Sequence, residues 1–66
     1  MKVFLNDTEI ELEDYSNLYS LLKQSKFIKP NIAVAVNNNV IQKTKWDSYC
    51  LNDKDRIVII NAIFGG

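Results

Sequence analysis

Hydrophobic and polar positions alternate from the start of the chain. In Lys2-Val3-Phe4-Leu5-Asn6, Val3 and Leu5 fall on one side of an extended backbone and Phe4 on the other. Glu9-Ile10-Glu11-Leu12-Glu13 alternates charged and aliphatic side chains, which predicts a half-buried strand with Ile10 and Leu12 inward. Asn6-Asp7 supplies turn chemistry between the two, so the pattern predicts an antiparallel hairpin. A lone hairpin is not stable in water and needs a covering element.

The period then changes from two to 3.6. Leu18, Leu21 and Leu22 recur at i, i+3 and i+4, one apolar stripe of a helix, and Asn17 is placed to cap its first turn. Lys23-Gln24-Ser25-Lys26 closes the helix, with cations at the end the macrodipole favours. Phe27 and Ile28 are candidates to cover its far end. Pro30 bars further helix and biases Lys29 to extended geometry, so a strand is predicted over Ile32 to Asn37. Asn37-Asn38-Asn39 reads as a sharp turn and Val40-Ile41 as a short returning strand. Lys43 to Tyr49 is a brief amphipathic stretch, read as a helical turn that tucks Trp46 against the sheet edge. Asn52-Asp53-Lys54-Asp55 is a second turn cluster, and Arg56 to Asn61 is a strand whose β-branched run marks it as central.

The predicted order is two strands, a helix and three strands, with the last strand beside the first through a parallel crossover. The fold class is α+β: a mixed sheet with one helix packed on one face, of the β-grasp (ubiquitin-like) kind. The expected core is Val3, Leu5, Ile10, Leu12, Leu18, Leu21, Leu22, Val34, Val36, Leu51, Ile57 and Ile59. The sequence of 66 residues is read as one domain, 1–66, with a flexible C-terminal tail over 63–66.

Charge and composition narrow the function. Eight Lys and Arg against eight Asp and Glu leave no basic stripe for a phosphate backbone, so nucleic acid is not an expected partner. No apolar run approaches the roughly 18 residues of a membrane span, and Asn6 and Asp7 following Lys2 argue against a signal peptide. The lone Cys50 suits a reducing compartment, so a cytoplasmic location is expected, and the thiol is read as buried and structural. Without histidine there is no Ser-His-Asp triad and no His-containing metal site, so an ordinary enzyme is not expected. Glu9, Glu11 and Glu13 read as a solvated strand face and not as metal ligands.

Glycine usage is unusual. A share near 7% would place about four or five glycines in such a chain. There are two, Gly65 and Gly66, and Asn and Asp occupy the turns where glycine would serve.

The whole chain, ending in Ile63-Phe64-Gly65-Gly66, resembles the ubiquitin-like sulfur carriers, and among them the thiamine-biosynthesis carrier family, ThiS. The resemblance rests on Phe4-Leu5-Asn6-Asp7, Ala33-Val34-Ala35-Val36-Asn37, Trp46, Asp53-Lys54-Asp55-Arg56-Ile57 and the terminal glycine pair. It implies that the Gly66 carboxylate is adenylated by an E1-like enzyme that uses ATP and Mg²⁺. A sulfur donor of the cysteine desulfurase or rhodanese type then makes a thiocarboxylate, and a thiazole synthase takes the sulfur for thiamine. The chain itself would bind no cofactor and catalyse nothing. Two residues without Cβ make a thin thread for the enzyme's slot. Phe64 departs from the smaller residue common there, and it is either an anchor or a misfit. By strand parity Phe4, Ala35, Val58 and Ile60 form an outward apolar face, the side through which ubiquitin-like proteins dock. A carrier of the molybdopterin type, a ubiquitin-like protein modifier and an interaction module with an inert tail are the alternatives.

Overall fold

Asparagine at positive φ builds both hairpins of the sheet. The computed structural model describes residues 1–26 and 31–61, and of Asn61 only the backbone, so the readings for 27–30 and for the tail lie outside the described residues. Strands β1 (Lys2–Leu5) and β2 (Thr8–Glu11) pair antiparallel, with Leu5 opposite Thr8. The two residues between them, Asn6 and Asp7, have φ of 47° and 68°. Strands β3 (Ile32–Val36) and β4 (Asn39–Ile41) repeat the device with Asn37 and Asn38, at φ of 51° and 70°. A two-residue loop with both φ positive matches the right-handed twist of the flanking strands, and Asn and Asp tolerate it best after glycine.

Helix α1 (Leu18–Gln24) follows the first hairpin. The Asn17 side chain accepts the Ser20 amide at 2.7 Å, the capping bond expected from sequence. Leu18, Leu21 and Leu22 are fully buried against the sheet. The helical turn expected within Lys43 to Tyr49 is a single 3₁₀ turn (Lys43–Lys45). It is enough to bury Trp46, whose indole N–H donates to the Ile41 carbonyl of edge strand β4 at 3.0 Å.

The last strand, β5 (Arg56–Asn61), lies in the middle of the sheet, in the order β2-β1-β5-β3-β4. It runs parallel to β1 and antiparallel to β3. Its pairing with β1 is short: Phe4 faces Arg56 and Leu5 faces Ile57. Asn6 prolongs it, because its amide donates to the Ile57 carbonyl and its side-chain oxygen accepts from the Ile59 amide, both at 2.9 Å. Of the expected core, all are buried except Ile10 and Ile59, which are half-buried and pack against the cluster. Ile10 lies on edge strand β2, where no further strand covers its outer side.

Asp55 is the one buried charged residue among those described, at 6% exposure. Its carboxylate accepts from the Asn37 side-chain amide at 2.9 Å and from the Asn52 backbone amide at 2.8 Å. Asn37 in turn accepts the Arg56 amide at 3.0 Å, so the β3–β4 turn is bolted to the start of β5. Asp55→Ala removes the acceptor shared by two donors. It is expected to destabilise the fold by about 1–3 kcal/mol, read from the urea midpoint at unchanged slope.

Candidate functional site

Strand alternation on β5 sorts its side chains. Ile57 and Ile59 point to the helix side, and Arg56, Val58 and Ile60 to the opposite face. Register places Ala35 beside Val58, Ala33 beside Ile60, and Val40 beside Ala35. These side chains form one apolar strip that the single helix leaves uncovered, with Val58 43%, Ile60 53% and Val40 70% exposed. Ala33 and Ala35 are half-buried and short, so β3 forms a low floor between the taller neighbours.

Phe4 belongs to the same face but is half-buried, because the Arg56 guanidinium lies over its ring at 5.4 Å. Asp7 stands 3.8 Å from the same guanidinium. Phe4, Asp7, Asn38, Arg56 and Val58 line a recess at this end of the strip. The other end follows β5 to Ile60 and Asn61. Phe4, Ala35, Val58 and Ile60 therefore share a face, as parity predicts. Ile63, Phe64, Gly65 and Gly66 lie outside the described residues. Ala33 and Val40 were missed by the sequence reading. Both were accessible to it, Ala33 through its parity with Ala35 and Val40 through the two-residue turn that sets it opposite Ala35.

Cys50 corrects an expectation. It is exposed and not buried. The segment around it pairs antiparallel with the residues before α1: Leu18 donates to the Tyr49 carbonyl and Leu51 to the Ser16 carbonyl, each at 2.9 Å. In this bridge Leu51 turns inward and Tyr49 half-inward, so alternation sends Cys50 outward. Glu9, Glu11 and Glu13 are exposed, with Glu9 3.9 Å from Lys2. Among the described residues no group of three or more Cys, Asp or Glu side chains is placed to hold a metal ion, and no helix is long and apolar enough to cross a membrane.

The family model for ThiS matches residues 2–66, almost the whole chain. The chain belongs to the ThiS family. It is 24% identical over 66 residues to the sulfur carrier protein ThiS of Escherichia coli (strain K12), covering 100% of each chain. It is 27% identical over 63 residues to the uncharacterised protein ycf40 of Trieres chinensis, covering 96% of this chain and 86% of that one. The crystal structure of the thiamine biosynthesis protein (ThiS) from Geobacter metallireducens superposes with a TM-score of 0.86 at 20% identity, over the full length of both chains. The mixed five-stranded sheet with one helix is the β-grasp fold of that ThiS structure.

In this ThiS-family chain the two faces of β5 differ in what they tolerate. Ile57→Asp buries an unpaired carboxylate in the core and is expected to unfold the domain. Ile60→Asp places the same group in water and is expected to cost no more than about 1 kcal/mol, the loss of strand propensity. Far-UV circular dichroism and urea titration of the two variants separate them. Equal loss of structure would mean that the outward face is covered.

Proposed function

We propose that this protein is a sulfur carrier whose C-terminal glycine carboxylate is activated and converted to a thiocarboxylate. The observation that carries the reading is the match to the ThiS family over residues 2–66, which includes Gly65 and Gly66. The chemistry suits the chain. An ionised carboxylate is a poor acylating group. Attack of the Gly66 carboxylate on the α-phosphate of ATP releases pyrophosphate and leaves an acyl-adenylate. The donor's persulfide then adds to the acyl carbon and expels AMP with one of the carboxyl oxygens, and a thiolate cleaves the resulting S–S bond, leaving the thiocarboxylate on Gly66 and a disulfide on the donor side. In this reading the adenylating enzyme supplies ATP, Mg²⁺ and the active site, and the carrier supplies the acceptor. The thiocarboxylate passes its sulfur to a thiazole synthase for thiamine.

The role of the glycine pair is steric. Gly65 and Gly66 have no Cβ, so they pass a narrow slot and adopt whatever backbone angles it imposes. Ordering glycine loses more entropy than ordering any other residue, and docking elsewhere has to offset it. The strip of Val58, Ile60, Ala35 and Phe4 is the surface that supplies this docking, with Ala33 and Val40 extending it. Ile63 and Phe64 join the strip to the glycines. The reading carries a cytoplasmic location and no cofactor bound by the chain itself.

Deleting Gly66 is expected to leave the urea midpoint unchanged and to abolish ATP–pyrophosphate exchange by the adenylating enzyme. Exchange that survives the deletion overturns the proposal. With ATP, Mg²⁺, enzyme and sulfur donor, intact mass is expected to show one oxygen-for-sulfur replacement in the C-terminal peptide. Cys50→Ser is expected to give the same product. Because Cys50 is exposed, this control is decisive: a sulfur adduct lost with Cys50, or removed by mild reduction, assigns a persulfide and not a thiocarboxylate.

A further inference from the structure

We infer that the backbone edge of β5 just before the tail is a strand-docking site, and that its occupant is an extended segment of the adenylating enzyme. The inference rests on the sulfur-carrier reading above and assigns that partner a specific mode of contact. The register of the sheet carries it. On β5, the odd-numbered backbone groups point toward β1. Phe4 donates to the Asp55 carbonyl, Asn6 donates to the Ile57 carbonyl, and Ile59 donates to the Asn6 side chain. The even-numbered groups face β3: Asn37 donates to the Arg56 carbonyl, and Val58 and Ile60 pair with Ala35 and Ala33. The ladder between β1 and β5 stops at Leu5 and Ile57, because β1 turns away at Asn6-Asp7, whereas β5 continues to Asn61. The same alternation aims the Ile59 carbonyl and the Asn61 amide and carbonyl at the side where β1 has ended. Among the described residues no strand pairs with β5 there.

The sheet's two outer strands are protected and this stretch is not. Edge strand β2 reads Thr8-Glu9-Ile10-Glu11 and presents two carboxylates, and edge strand β4 has three residues. Short length and charge are the usual guards against adventitious strand pairing. Ile57-Val58-Ile59-Ile60-Asn61 carries no charge and is almost wholly β-branched. The groups left without a partner among the described residues repeat every second residue, about 6.6 Å apart, a spacing that a strand matches and a helix does not. Val58 and Ile60, both exposed on the outward face, stand beside the edge to receive alternate side chains of an incoming strand. Those side chains are apolar, to match Val58 and Ile60; Arg56, the charge on this face, is drawn over the Phe4 ring at the other end of β5.

Position names the partner. Gly66 is five residues past Asn61, at most about 18 Å of extended chain. A segment that grips Asn61 fixes the start of the thread within reach of the active site and lowers the entropy lost on ordering the rest. A second copy of this chain is a poorer occupant. Two such edges offer each other a few backbone bonds and two side chains, far below the roughly 1,200 Å² of a stable interface. The enzyme adds the outward strip and the tail slot to the same contact.

Amide hydrogen exchange on the full chain, alone and with the adenylating enzyme, tests this. The Asn61 amide is expected to exchange freely in the chain alone and at least tenfold more slowly in the complex, with the β3 amides protected in both. A chemically synthesised chain N-methylated at Asn61 loses the donor and is expected to raise the concentration needed for half-maximal ATP–pyrophosphate exchange about tenfold. An unprotected Asn61 amide in a complex that still supports exchange overturns the strand-docking inference and leaves the carrier reading standing. Absence of exchange with the unmodified chain overturns both. A dimer of the free chain in sedimentation, abolished by the N-methyl group, assigns the edge to a second copy and overturns the inference.

Discussion

The short parallel pairing of β1 with β5, prolonged by the side chain of Asn6, holds the two halves of the sheet together. Without it β5 would be an edge strand held by β3 alone, and the hairpin of β1 and β2 would have no link to the other half of the sheet. Two residues of ladder are a thin connection. Asn6 strengthens it by doing two jobs at once: its backbone adopts the left-handed turn, and its amide side chain substitutes for the next ladder residue. Asn37 repeats the combination on the other flank, turning β3 into β4 while bonding Asp55 and Arg56.

This doubling explains the distribution of glycine. A glycine at position 6 or 37 would satisfy the backbone angle and offer no hydrogen-bonding group. The body of the domain therefore gains from asparagine at these turns, and it also loses less entropy on folding than a glycine-rich chain of the same length. On the proposed carrier reading the terminal pair has the opposite requirement, the smallest cross-section with no side chain to satisfy.

Much of the architecture was legible because periodicity reports directly on burial. The 2.0-residue alternation of Val3, Leu5, Ile57 and Ile59 and the 3.6-residue stripe of Leu18, Leu21 and Leu22 each assigned an element and its inward face. Cys50 was misread because a general tendency of free cysteine to be buried was set above its own alternation with Tyr49 and Leu51. Asp55 was illegible for a different reason. Its neighbours Asp53 and Lys54 mark a solvated turn, and the partner that makes its burial tolerable, Asn37, is 18 residues away. The outward strip was found by parity, whereas the role proposed for Gly66 rests on family resemblance, since no periodicity distinguishes a reactive terminus from a frayed one.

The link between Asn6 and Ile59 spans 53 residues of sequence. Closing so long a loop is entropically expensive before any contact rewards it, and domains rich in such contacts fold slowly. The central strand is also the last one among the described residues, so during synthesis the first hairpin and the helix must wait for β5 before the core can be completed. A copy that has not closed this ring has no ordered outward strip, because Val58 and Ile60 are set on that face only by the pairing of β5 with its neighbours.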